Sequence, residues 1–200
     1  MTVTITESPG IDATELDKCS QTLARAFEDY ALMRHFIDPD DQARRIHKYQ
    51  DAFLRRVGMA GGHVWSAAGG VAVAVWTAPD MPDPAAVFGP LAEAFVRLSG
   101  SRAKVMEASE AVMAKYRPTE PCWFLGTVGV DPDYQGGGLA RAVIEPGLER
   151  AAEQGFPAFL ETSNENNVAV YRRLGFDVTA EYDLPFDGPR TYAMMRGVPS

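Results

Sequence analysis

The stretch Thr127-Val128-Gly129-Val130-Asp131-Pro132-Asp133-Tyr134-Gln135-Gly136-Gly137-Gly138-Leu139-Ala140-Arg141 decides how this chain is read. In order, it reads as a buried strand, a tight turn, a glycine loop and a helix start. Glycines let the backbone turn sharply and approach a ligand closely. A helix that begins directly after them aims free N–H groups, and the positive end of its dipole, into the loop. That arrangement binds phosphate.

Two nucleotide-binding motifs fail on the text. A Walker loop needs Gly-x-x-x-x-Gly-Lys-Ser/Thr, and no lysine follows these glycines. A dinucleotide fingerprint needs Gly-x-Gly-x-x-Gly; Gly136 and Gly138 give the first spacing, but position 141 is Arg141. What remains is Gln-x-x-Gly-x-Ala at Gln135, Gly138 and Ala140. A second cluster follows, with Glu161, Asn164, Asn166, Asn167, Tyr171 and the pair Gly175-Phe176.

Together the two clusters resemble the acyl-CoA site of the GNAT superfamily of N-acetyltransferases. The resemblance implies an α/β (α+β) fold, a mixed and mostly antiparallel sheet flanked by helices. It implies acetyl-CoA as cosubstrate, with no metal, and a small-molecule amine as acceptor. The loop from Gln135 would hold the CoA pyrophosphate through N–H groups of Gly136, Gly137, Gly138, Leu139, Ala140 and Arg141. The Arg141 side chain either adds charge there or is a solvated helix residue. The backbone at Val128, Gly129 and Val130 is where the superfamily pairs its strand with pantetheine. Asn167 sits one helical turn before Tyr171 on the same face and is implied in fixing CoA; Asn164 is its rival.

Direct acetyl transfer needs a held thioester, a neutral amine, donors for the oxyanion and a proton for the departing thiolate. Tyr171 is the candidate acid, since a phenol with a pKa near 10 stays protonated at neutral pH. Its bland alternative is a tyrosine packed between helix and strand. Glu161 is a candidate base, with a buried structural carboxylate as the equal alternative. Tyr30 and His35 are the other titratable candidates. Trp65, Trp76, Trp123, Tyr30 and Phe36 form either an aromatic acceptor wall or core.

Blocks along nearly the whole chain, among them Ala26–Tyr30, Arg34-His35, Val73–Trp76 and Pro157–Ser163, are similar to the puromycin N-acetyltransferases. That similarity implies puromycin, or a related aminoacyl nucleoside or aromatic amine, as acceptor, and antibiotic inactivation as the outcome. Gly137 stands where that family has lysine, Ala140 where it has glycine, and Asn164-Glu165-Asn166 where it has a proline-bearing segment. The other readings are an acyl-CoA-binding sensor without turnover and an enzyme acetylating a protein or peptide.

Around this centre, the 200 residues suit one domain. The 46% hydrophobic and 23% charged fractions are ordinary for a globular chain. A formal charge of −8 argues against nucleic acid as partner. No apolar run approaches a membrane span, and the start from Met1 lacks a signal-peptide pattern. A cytoplasmic monomer or homodimer is expected. Cys19 and Cys122 lack metal or redox spacing and are expected to be buried free thiols.

Periodicity predicts a strand at Val3–Thr6 and a helix opened by the Asp12/Glu15 box, with Leu16, Cys19, Leu23 and Phe27 on one face. A polar-aromatic junction follows at Asp29–Phe36. A second helix, capped by Asp40 or Asp41, ends at Gly58. A hairpin folds at Gly69-Gly70. Residues 79–117 read as a helical insertion, Ala85–Leu98 and Arg102–Tyr116, that walls the acceptor pocket. The helix Leu139–Gln154 contains Pro146, which predicts a kink at a cost of roughly 3 kcal/mol. A strand at Ala158–Thr162, a helix at Asn166–Leu174 and a hairpin of Asp177–Tyr182 with Arg190–Met195 complete the reading.

Overall fold

The computed structural model describes residues 3–198. Among them, seven strands form one sheet: β1 Ile5–Glu7, β2 His63–Ala67, β3 Ala72–Thr77, β4 Trp123–Val130, β5 Ala158–Thr162, β6 Asp177–Asp183 and β7 Arg190–Arg196. The spatial order is β1-β2-β3-β4-β5-β7-β6. Every neighbouring pair is antiparallel except β4 with β5. The helices are α1 Ala13–Phe27, α2 Ala31–Phe36, α3 Gln42–Phe53, α4 Pro84–Ser99, α5 Ala103–Met113, α6 Leu139–Glu153 and α7 Glu165–Arg172. The mixed, mostly antiparallel sheet is the expected one.

Strand alternation sends successive side chains to opposite faces. Trp76 points to the α6 face, where Trp65, Trp123, Val143, Ile144 and Leu148 form the largest core cluster. Val73 and Val75 point the other way and pack with Cys19, Leu23 and Leu54. Each fully buried aliphatic side chain there contributes about 1.5–3 kcal/mol. The three tryptophans are therefore core. None lines the cavity described below, although Tyr30 and Phe36 do; the aromatic-wall reading is corrected for the tryptophans.

The predicted elements recur with small shifts. β1 begins at Ile5 rather than Val3. Asp12 caps α1 by accepting the Glu15 N–H at 2.8 Å, as the box predicts. The 29–36 junction contains the short helix α2, and α3 continues into a π-helical turn at Leu54–Gly58. A six-residue helix and a π turn carry too little periodicity to be seen in sequence. Cys19 is fully buried, whereas Cys122 is only half-buried.

α6 runs unbroken through Pro146. The next residue explains why packing carries it: a Cβ on Gly147 would lie 2.5 Å from the Trp76 indole. Only glycine lets the helix sit this close to the sheet, and the buried Trp76 then offsets the lost backbone bond.

The insertion, α4 and α5, leaves the sheet after β3 and returns at β4. Its elbow is pinned by Asp38, whose carboxylate accepts the Ser101 N–H at 2.7 Å and the Asp40 N–H at 2.9 Å. Those N–H bonds depress the carboxyl from 3.8 to about 2. A depressed carboxyl stabilises fully above its unfolded value, and that contribution is lost as pH falls through the folded one. Protection of the Ser101 amide from exchange, relative to its intrinsic rate at each pH, should therefore fall between about pH 4 and pH 2. Asp38→Asn should remove that pH dependence; an unchanged profile would refute the anchoring role.

Candidate active site

β4 and β5 run side by side for only three rungs, Trp123–Leu125 against Ala158–Leu160. β5 then stays with β7 out to Thr162, and β4 stays with β3 out to Val130. The two strands diverge, and the backbone of Gly126–Val130 is left without a β5 partner. A cavity of about 1080 Å³ occupies the gap. Backbone groups need partners, so an unpaired strand edge lining a cavity suits a ligand that pairs like a strand.

The divergence begins at an irregularity in β4. Val75 faces Thr127, but Trp76 faces Leu125, so Gly126 is an extra residue opposite one step of β3. Bulges of this kind bend a strand and are common beside active sites.

The far end of β4 is fixed by Asp131. Its carboxylate is buried and meets Arg25 Nη1 at 2.5 Å and Lys18 Nζ at 3.3 Å, both from α1, while also accepting the Asp133 N–H at 3.2 Å. Gln135 Nε2 donates to the Val130 carbonyl at 3.3 Å and ties the loop back to the strand. Gly136 and Gly138 adopt φ of 84° and 80°, which side chains disfavour. Gly138 caps α6 with no side-chain acceptor, so the first-turn N–H groups are free for a ligand. Gly136, Gly138, Leu139, Ala140 and Arg141 line the cavity, and Gly137 sits between them in the loop, outside the lining itself. Arg141 pairs with Glu145 at 2.6 Å along the helix surface.

Tyr171 lines the cavity and is only 7% exposed. Burial pushes its hydroxyl well above the usual tyrosine range, with the neighbouring Tyr30 adding to the effect. Its hydroxyl has no hydrogen-bond partner among the described residues. Tyr30, also lining the cavity, accepts the Ser163 N–H at 2.6 Å and lies 3.2 Å from Thr162 Oγ1. Asn167 Nδ2 donates to the same Thr162 hydroxyl at 3.4 Å. Asn164 caps α7 by accepting the Asn166 N–H at 2.9 Å, a local structural task beside its place in the cavity wall.

Glu161 reaches the cavity but is not free. Oε2 accepts Arg117 Nε at 2.8 Å, and Oε1 accepts the Tyr182 hydroxyl at 3.0 Å. Arg117 Nη1 also donates to Glu110 at 3.0 Å. Burial raises the Glu161 carboxyl, with the Arg117 guanidinium pulling the other way. The geometry favours the structural-carboxylate reading over a mobile base. Tyr116, beside Arg117, stacks on Tyr182 with ring centroids 4.1 Å apart, so this network docks the end of the insertion onto β5 and β6.

His35 is buried and lies outside the cavity lining, with its ring against Gly188. Burial lowers its pKa. Its place in α2 turns it towards the β6–β7 connection, away from the reaction space, and its candidate catalytic role is corrected. Sequence reading missed Arg117, Glu110, Gln50 and Phe53, which all line the cavity. No sequence signal marks the first two: Arg117 meets Glu110 seven residues away, but the Glu161 that makes the network is 44 residues distant.

The cavity is divided by charge. Arg141 and Arg173 stand at the loop and α7 end; Glu107, Glu110 and Glu161, with Arg117 alone opposing them, stand at the α5 end. The insertion contributes apolar wall to the cavity through Phe88, Leu91 and Phe95. No group of three His, Cys, Asp or Glu side chains among the described residues is placed to hold a metal. No helix among them is long and apolar enough to cross a membrane.

Residues 105–176 match the model of the acetyltransferase (GNAT) family. The mycothiol acetyltransferase of Saccharomonospora viridis is 39% identical over 82 residues, 36% of this chain and 26% of that protein. That of Cellulomonas flavigena is 40% identical over 121 residues, 58% of this chain and 33% of that protein. The chain thus spans about a third or less of the length of these curated relatives. They carry the name mycothiol acetyltransferase, not puromycin N-acetyltransferase. The solved structure of "histone acetyltransferase HPA2 and related acetyltransferase" from Corynebacterium glutamicum superposes with a TM-score of 0.73 at 22% identity, covering 100% of this chain and 98% of that one. Arylalkylamine N-acetyltransferase 2 from Aedes aegypti gives 0.62 at 13%, covering 100% of both. These structures share the fold.

Proposed function

We propose that this chain, whose residues 105–176 match the GNAT acetyltransferase family model and whose fold is shared with solved acetyltransferase structures, belongs to that family and transfers acetyl from acetyl-CoA to the primary amine of a small molecule. The observation that carries the proposal is the diverging β4–β5 pair. It leaves an open strand edge in the same cavity that the glycine loop and Tyr171 line. Pantetheine pairs with that edge, the phosphates meet the N–H groups after Gly138, and the thioester lies near Tyr171.

The neutral amine attacks the thioester carbonyl, forming the C–N bond. The tetrahedral intermediate expels the CoA thiolate as the C–S bond breaks. Tyr171 gives its proton to that sulfur. The proton on the amine leaves through solvent or the Tyr30–Thr162 hydroxyls, because Glu161 is already engaged. No acetyl-enzyme is required, since Cys19 is buried on the inner face of α1 with its thiol pushed up to about 11.

The carboxylates at the α5 end favour an acceptor that arrives as a cation, and the insertion's apolar wall favours one with an aromatic or aliphatic body. Puromycin and related aminoacyl nucleosides remain acceptors on sequence resemblance, and a mycothiol-related amine on the names of the curated relatives. Free-thiol release from acetyl-CoA should appear with members of a panel holding puromycin, a mycothiol-related amine and simple aromatic and aliphatic amines. CoA binding without release on any amine would instead favour a sensor module. Faster release with N-terminal or lysine peptides than with every small amine would favour a protein substrate.

A further inference from the structure

Strand alternation in β4 changes phase at its bulge. Trp123 and Leu125 face the α6 side, and Phe124 faces away from it, towards Phe159. In a regular strand Thr127 would rejoin Trp123 and Leu125. Instead Gly126 and Thr127 both face α3, and Val128 and Val130 take up the α6 side beyond them. Gly129 again faces away from α6, against Leu23 and Ala26 of α1.

α3 grips the two consecutive residues at the phase change. A Cβ on Gly126 would overlap the Phe53 ring, so the ring lies directly on the bulged backbone. One turn earlier on the same helix face, Gln50 Oε1 accepts the Thr127 hydroxyl at 3.0 Å. Gln50 is 3% exposed, and its Nε2 points to Met33 Sδ at 3.9 Å. A glutamine buried this deeply costs stability unless it is bonded, and its main partner is the residue beside the bulge.

We propose that Gln50 and Phe53 are positioning residues for acetyl transfer: through Thr127 and Gly126 they hold the β4 bulge, and so set where the open strand edge places the thioester. The proposal rests on the acetyltransferase reading above. Neither side chain need touch the reacting atoms. The phosphate-binding loop lies beyond Asp131 and is anchored separately by Arg25 and Lys18. Loosening the bulge should therefore move the acetyl group without releasing the cosubstrate.

Gln50→Leu, Thr127→Val and Thr127→Ser in the full chain test this. With the best acceptor of the panel, Gln50→Leu and Thr127→Val should each lose about 10-fold or more in kcat. Their KM for acetyl-CoA should stay within about twofold. Thr127→Ser, which keeps the hydroxyl, should retain wild-type turnover. Independently of turnover, hydrogen exchange at Gly126–Val128 should quicken in Gln50→Leu and Thr127→Val, while the Asp131 and Leu139–Arg141 amides hold their rates.

Unchanged exchange at Gly126–Val128, or a KM rise matching the kcat loss, would overturn the proposal. So would Thr127→Ser behaving like Thr127→Val. If the wild type releases no thiol with any acceptor, the acetyltransferase reading fails, and the exchange data still decide whether α3 holds the bulge. If Gln50→Leu does not fold, the Thr127 pair gives the answer alone.

Discussion

Tyr171→Phe is expected to lower kcat about 100-fold or more, the usual contribution of a placed general acid. The KM for acetyl-CoA should barely move, because the glycine loop is untouched. Stability should not fall: the Tyr171 hydroxyl faces the cavity and has no protein partner among the described residues to lose, so its removal leaves no buried group unpaired. A structural tyrosine would show the reverse, with stability lost and turnover kept. The wild-type rate should also show no loss of the acid form below about pH 10, since burial raises this phenol above the ordinary tyrosine value. Single-turnover thiol release with bound acetyl-CoA makes the measurement, and unchanged turnover in Tyr171→Phe would end the assignment.

Glu161→Gln should destabilise the fold by about 3 kcal/mol, because one partner of a buried ion pair is removed while the other stays. Arg117 would keep only Glu110, and the Tyr182 hydroxyl would lose its anionic acceptor. The double replacement Glu161→Leu with Arg117→Met should recover much of that loss, since removing both charges also removes their desolvation cost. Thermal unfolding of the single and double variants checks this. A Glu161→Gln protein with wild-type stability and no turnover would restore Glu161 as the base.

Much of the scaffold was readable because its signals are local. Asp12 and Glu15 announced α1, Gly69-Gly70 announced the β2–β3 hairpin, and Gln135 to Arg141 announced the loop that begins α6. Side-chain roles were harder, because they depend on partners far away in the chain. Glu161 reads equally as a base or as a structural carboxylate until Arg117, 44 residues distant, is found on it. His35 reads as one titratable candidate among several until α2 turns it towards Gly188. Trp65, Trp76 and Trp123 read as a wall or as core, and only the strand phase assigns them to the α6 face. The bulge left its mark in sequence as two glycines flanking Thr127-Val128, yet glycine spacing cannot say which residue the sheet skips.

The insertion enters and leaves the sheet at a single rung, Thr77 opposite Phe124. For the chain's topology it is a long hairpin loop whose ends are already joined by the strands. Lengthening such a loop costs little, about 0.6 kcal/mol for each doubling. The side of the cavity built from β4, β5, α6 and α7, which the proposed function assigns to the cosubstrate, is not interrupted by the insertion. The opposite wall, assigned there to the acceptor, is therefore topologically independent of it. On the proposed acetyltransferase reading, α4 and α5 could be changed in length or sequence to alter the acceptor while the acetyl-donor side stays as it is.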